Sequence, residues 1–285
     1  MSFAWWKMLN GVPLQQKSKQ SRNMKVQYHK HWSENLCRDM EYKVYGTEGK
    51  GVLVFPSQDQ RFYEWEDNGM IDVLAPMIEA GKIHIICCDS IDKETWSNGL
   101  NAEGVEYVAE EEKERYHERI ELHERWYNYI VDELIPEVND GQQLIVTGCS
   151  MGGYHSGNIF FRRPDLFCTI LSFSGLFHAD YFFPQYDDEL IYFNSPLDFL
   201  SGQHDPSILL NQYRSKQIIC CCGQGDYEEI TSASTRRLQQ VLANAGVDGW
   251  FDFWGEDVSH DFYWWRQQAV YFFDKIINNK VAVVA

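Results

Sequence analysis

The sequence predicts an α/β protein: a mostly parallel central sheet of about eight strands with helices on both faces. Three observations predict it. From residue 51 onward, short apolar runs of strand length alternate with stretches of helical period. GVLVFP is continuously apolar, as a strand covered on both faces is, and KIHIICCD and QQLIVTG read as further short strands. No repeat, low-complexity tract or Pro/Gly/Ser-rich linker divides the 285 residues, a length sufficient for one large core. The expected organisation is an N-terminal arm over 1–24 and a single domain over 25–285.

In chain order, KVQYHKHW (25–32) and MEYKVYG (40–46) alternate as half-exposed strands do. GVLVFP (51–56) is a buried strand. NGMIDVLAPMIEAGK (68–82) carries apolar residues at helical spacing and stops at a glycine. KIHIICCD (82–89) is again a buried strand. The longest helical stretch is 110–138, where Glu111 with Arg115 and Glu121 with Arg125 are i,i+4 pairs and the acidic start suits the helix dipole. That charge run is a solvated helix face, not a binding tract. QQLIVTG (142–148) is a strand followed by a helix to Arg163, and FCTILSFSG (167–175) is the next strand. Residues 176–215 are irregular and aromatic, with short helices, and are expected to cover the site. KQIICCCG (216–223) is a strand, SASTRRLQQVLANAG (232–246) a helix closed by Gly246, WFDFWG (250–255) a strand and 261–279 the last helix.

The balance of charge limits the partners. Asp and Glu outnumber Lys and Arg by 42 to 25, a net charge of -17. Phosphate backbones and anionic membrane surfaces both require a basic face, so neither nucleic acid nor membrane is an expected partner. No apolar run reaches the ~20 residues of a membrane-spanning helix. The first 24 residues lack the apolar core and cleavage site of a secretory signal. They read as an arm that packs Trp5 and Trp6 on the domain. The eight cysteines lie mostly inside apolar runs, without CxxC spacing, and adjacent ones on a strand point to opposite faces. This is the usage of a reducing, cytoplasmic compartment without a disulfide framework or zinc site. His29 and His31 share a strand face without a third ligand, and His117 and His123 do not face together on a helix. With no HExxH, P-loop or GxGxxG after a strand, neither metal nor cofactor is expected.

The stretch LIVTGCSMGGYHSGN places Gly148-Cys149-Ser150-Met151-Gly152, a G-x-S-x-G run, between an apolar strand and a helix. In that context a serine occupies a sharp strand-to-helix turn that lifts its hydroxyl clear of the sheet. A Cβ at either glycine would crowd the crossing, and the helix N-terminus favours developing negative charge. A serine hydroxyl needs a base. In the order serine, acid, histidine, three histidines qualify: His178, His204 and His260. His260 follows the strand WFDFWG and precedes the final helix, at the C-terminal edge of the sheet. Its competing role is a helix cap. His178 and His204 fall in the irregular segment. The acid is expected in the loop CGQGDYEE, where Asp226, Glu228 and Glu229 qualify. Asp226 is preferred slightly over Glu228, although DYEE also reads as a capping box. An oxyanion hole needs two N–H groups. One is the backbone N–H of Met151, the other Ser57 or Gln58 in the loop after GVLVF, because Pro56 has none. Tyr63, Trp65, Trp96, Phe177, Tyr181 and Phe182 are candidates for the pocket wall, with core positions the competing reading.

In these residues the chain resembles the putative-esterase group of α/β-hydrolases, which includes S-formylglutathione hydrolases (esterase D), feruloyl and acetylxylan esterases, enterochelin esterases and mycolyltransferases. GCSMGG (148–153), RRPDLF (162–167), CGQGD (222–226) and GEDVSHDFYWW (255–265) carry the resemblance, from about residue 50 to the end. It implies an α/β-hydrolase fold with Ser150 as nucleophile, His260 as base and an acid at Asp226 or Glu228. Pro56-Ser57-Gln58 departs from the His-Gly of many hydrolases. The expected function is a serine carboxylesterase acting on small or short-chain esters through an acyl-enzyme. An acyltransferase passing the acyl group to an alcohol or sugar is the alternative, and a non-catalytic hydrolase-like binding protein is a third reading.

Overall fold

A computed structural model describes residues 24–98, 115–139 and 141–278. The N-terminal arm up to residue 23, residues 110–114 with the Glu111–Arg115 pair, and the chain end from residue 279 lie outside the described residues.

Among the described residues the strands are β1 (Val26–Ser33), β2 (Arg38–Tyr45), β3 (Lys50–Phe55), β4 (Ile83–Cys88), β5 (Leu144–Cys149), β6 (Phe167–Phe173), β7 (Gln217–Cys222) and β8 (Trp250–Phe253). They form one sheet in the order β1-β2-β4-β3-β5-β6-β7-β8. The β1–β2 and β2–β4 pairs are antiparallel and all others are parallel. After β3 the chain crosses to β4 on one side, then returns over β3 to β5 on the other. The strand order therefore reverses between β3 and β5, where an open α/β sheet leaves a crevice at its carboxyl edge.

The helices follow as α1 (Glu64–Asp67), α2 (Met70–Glu79), α3 (Tyr116–Asn128), α4 (Ile135–Val138), α5 (Met151–Arg162), α6 (Glu189–Phe193), α7 (Pro196–Ser201), α8 (Pro206–Tyr213), α9 (Glu229–Asn244) and α10 (Phe262–Ile277). The long helical stretch expected over 110–138 is not uniform. Between α3 and α4 it widens into a π-turn at Tyr129–Leu134. Pro136, in α4, has no N–H to give the preceding turn and its ring would strike a carbonyl there, so the helix dilates just upstream. Arg125 donates to the carbonyl of Asn35 at 2.6 Å.

Period-two alternation divides the core between the two faces of the sheet. Leu53, Phe55, Ile86, Cys88, Val146 and Cys220 pack with residues of α3, α5 and α9 on one face. Val52, Val54, Ile85, Cys87, Phe173 and Cys221 pack with α2 and α10 on the other. Adjacent cysteines thus enter opposite cores, and all eight are free thiols. No described helix is long and apolar enough to cross a membrane.

The segment 176–215 packs on α5. The hydroxyl of Tyr154 donates to the carbonyl of Asn194, and Arg162 bridges the carboxylate of Glu124 and the side chain of Asn194. This gives the RRPD motif a structural meaning. Arg162 anchors the irregular segment from inside, while Arg163 pairs with Asp165 outside at 2.7 Å.

Candidate active site

β5 delivers its last residues straight into the N-terminus of α5, and Ser150 sits at the corner. Its φ of 56° and ψ of -119° lie where a non-glycine residue is strained. The corner holds because it is bonded on both sides. Ser150 N–H donates to Phe173 O at 2.9 Å, and Ser150 O accepts from Tyr154 N–H at 3.1 Å. The glycines are needed for close approach. A Cβ at Gly152 would collide with the carbonyl oxygen of Phe55 and stand 2.8 Å from that of Pro56, and one at Gly148 would stand 2.7 Å from that of Phe55. The loop after β3 therefore runs directly over the start of α5.

His260 enters from the loop between β8 and α10. Its backbone N–H donates to the carbonyl of Asp226 at 3.0 Å, and Trp265 packs edge-on against its ring at 4.9 Å between centroids. The cap of α10 falls to Asp261, which accepts from Tyr263 and Trp264 N–H at 2.8 and 3.2 Å. His260 is thus free of that duty, and its Nε2 lies 2.9 Å from Ser150 Oγ. His178 is paired with Asp198 at 3.2 Å, and His204 is exposed.

The carboxylate on the far side of the ring belongs to Glu228 and not to Asp226, the slightly preferred expectation. Glu228 Oε2 lies 3.5 Å from His260 Nδ1, and both side chains are nearly buried. Tyr227, between the two acids, has φ 67°, which reverses the side-chain direction. Asp226 consequently faces solvent and contributes only its carbonyl. It forms no cap either, since Glu228 holds the N-cap position of α9 without a side-chain cap bond. Burial alone would raise the Glu228 carboxyl. Bonds from His260, Ser174 and Thr231 outweigh that cost and hold it below its ordinary range, as a carboxylate.

Ser174, Thr231 and Trp265 escaped sequence reasoning. Ser174 Oγ donates to Glu228 Oε1 at 2.5 Å and accepts from Trp265 Nε1 at 3.0 Å, and Thr231 donates to Glu228 Oε2. Trp265 thereby touches both the imidazole and the serine that holds the carboxylate. The one sequence signal was the position of Ser174, just past β6 and before Gly175.

Of the two loop donors considered, Ser57 spends its N–H on Glu64 Oε2 at 2.8 Å. Gln58 is half-buried on the same loop. Met151 is the first residue of α5, so its N–H is among those a helix leaves without an internal partner. The pocket candidates divide. Tyr63 is exposed and lines a cavity of about 490 Å³ with Asp59, Gln60, Arg61 and Asp92. Tyr181 is half-buried. Trp96, Phe177, Trp65 and Phe182 are core residues, not wall residues. Trp96 is sealed among Tyr154, Phe182 and Phe183, and Phe177 sits over Gly157, where the missing Cβ makes room for its ring. No group of three His, Cys, Asp or Glu residues among those described is arranged to hold a metal.

A family model described as "Putative esterase" matches residues 33–272. No curated protein matches the chain. Among solved structures, a ferulic acid esterase superposes with a TM-score of 0.67 at 17% identity, over 90% of this chain and 98% of its own. An S-formylglutathione hydrolase from Agrobacterium tumefaciens gives 0.66 at 14% identity, over 91% and 96%. One from Staphylococcus aureus gives 0.64 at 14%, over 91% and 98%. At these identities the likeness is one of fold, the α/β-hydrolase fold.

Proposed function

Because the chain belongs to the esterase family and is a carboxylic ester hydrolase, we propose that it is a serine esterase of small or short-chain esters working through an acyl-enzyme. The observation that carries this reading is the 2.9 Å approach of His260 Nε2 to Ser150 Oγ at a strained strand-to-helix corner. Ser150 Oγ attacks the ester carbonyl carbon while His260 Nε2 takes the hydroxyl proton. The imidazolium so formed is stabilised by Glu228, and its Nδ1–H is the donor that closes the 3.5 Å gap. The N–H groups of Met151 and of Gln58 receive the oxyanion. Collapse expels the alcohol, protonated by His260. Water then attacks the acyl-Ser150 ester with the same histidine as base, releasing the acid and restoring the hydroxyl.

Hydrolysis of a p-nitrophenyl ester series, from acetyl upward in chain length, tests the assignment. Short-chain turnover that vanishes in Ser150→Ala, with the fold intact by circular dichroism, is the expected result. Undiminished turnover in pure Ser150→Ala would remove Ser150 from the chemistry.

A further inference from the structure

Glu64 is a buried carboxyl that the mechanism above does not use. It begins α1 and is 3% exposed. Its Oε2 accepts the N–H of Ser57 at 2.8 Å, and its Oε1 is buried without a partner. A leucine would fill such a site without the cost of burying a carboxyl. The loop it touches runs against α5 at Gly152 and is tied further along by Gln60 N–H to Ser57 O at 3.0 Å and by the Ser97 hydroxyl on Asp59. Pro56 has no N–H, and Glu64 takes the N–H of the next residue. Neither of the first two residues after β3 therefore offers an N–H to the reacting carbonyl.

We propose that Glu64 is a positioning residue for the oxyanion hole: by binding the Ser57 N–H it sets the loop so that the amide of Gln58 meets the developing oxyanion. The proposal rests on the serine-esterase reading and deepens it. It acts through the loop backbone, so it governs the transition state and leaves ground-state ester binding nearly alone. The requirement is an acceptor at the right reach, which a carboxylate, a carboxylic acid or an amide all supply.

Steady-state kinetics on a p-nitrophenyl ester with wild type, Glu64→Leu, Glu64→Asp and Glu64→Gln test this, with Ser150→Ala as the blank. Removing an oxyanion donor outright costs ~10²–10³ in kcat, so a misplaced one should cost about tenfold to a hundredfold. Glu64→Leu should show that loss in kcat with KM changed less than about twofold. Glu64→Asp, charged but one methylene short, should fall with it, and Glu64→Gln should recover most of the lost kcat. Should Glu64→Leu fail to fold, the Asp and Gln pair carries the comparison. A folded Glu64→Asp at wild-type kcat, a Glu64→Gln as poor as the Asp variant, or a change in KM alone would each overturn the proposal. Absence of any Ser150-dependent turnover in wild type would instead overturn the serine-esterase reading and the Glu64 role with it.

Discussion

Asp226 and Glu228 stand two residues apart, and the backbone of Tyr227 decides between them. Position in the loop admits both acids and slightly favours Asp226. A single positive φ turns one outward and the other onto His260. Glu228→Gln should therefore lower kcat by roughly 10³- to 10⁴-fold by favouring the wrong imidazole tautomer, while Asp226→Asn stays close to wild type. Comparing kcat of the two variants on one ester checks this, and equal losses would contradict it. Glu64 titrates where a buried carboxyl should. Burial, opposed by its bonds to Ser57, pushes its carboxyl from 4.5 up to about 7, and the charge of Asp92 adds to the shift. Cys87 and Cys149 also feel its charge. The carboxyl holds its proton more tightly folded than unfolded. Its contribution to stability is thus fully present below about pH 4.5 and lost as pH rises through about 7. The loss amounts to roughly 3 kcal/mol. Urea midpoints of wild type and Glu64→Gln should diverge across that window, the wild type falling relative to the variant as pH rises. Parallel curves would contradict the shift.

The elements were legible where one physical signal dominated. The strands GVLVFP, KIHIICCD and KQIICCCG announce themselves because both faces are covered and their central residues are mostly apolar. The serine corner was legible because G-x-S-x-G between a strand and a helix has few other steric reasons to exist. Competing signals hid the rest. Aromatic residues serve core and pocket alike, so nothing in the sequence separates Trp96 and Phe177, both sealed, from the exposed Tyr63. The π-turn before Pro136 is invisible to helical periodicity, which counts apolar residues and not backbone bonds. Ser174 and Thr231 are ordinary polar residues until the fold sets Glu228 between them. At the corner itself, Gly152→Ala should destabilise the protein by about 3 kcal/mol, because its Cβ collides with backbone, which cannot rotate away as a flexible side chain would. A denaturant midpoint unchanged from wild type would show that the β3 loop can retreat from α5.

Over the whole molecule, the reversal of strand order between β3 and β5 converts local pattern into a site. It brings the loop after β3 and the start of α5 to one crevice, and the parallel β6, β7 and β8 carry Ser174, Glu228 and His260 to the same edge. Residues as far apart as 57, 150, 228 and 260 thus converge from four different loops, which no local window of sequence displays. Everything at this edge turns on Ser150 as the proposed nucleophile. The most direct test of that role is reaction of the intact protein with an alkyl fluorophosphonate, followed by peptide mass spectrometry. A single adduct on Ser150 that blocks ester turnover, and that is absent in Ser150→Ala, is the predicted result. Blocked turnover with the adduct elsewhere, or full turnover in protein fully labelled at Ser150, would contradict it.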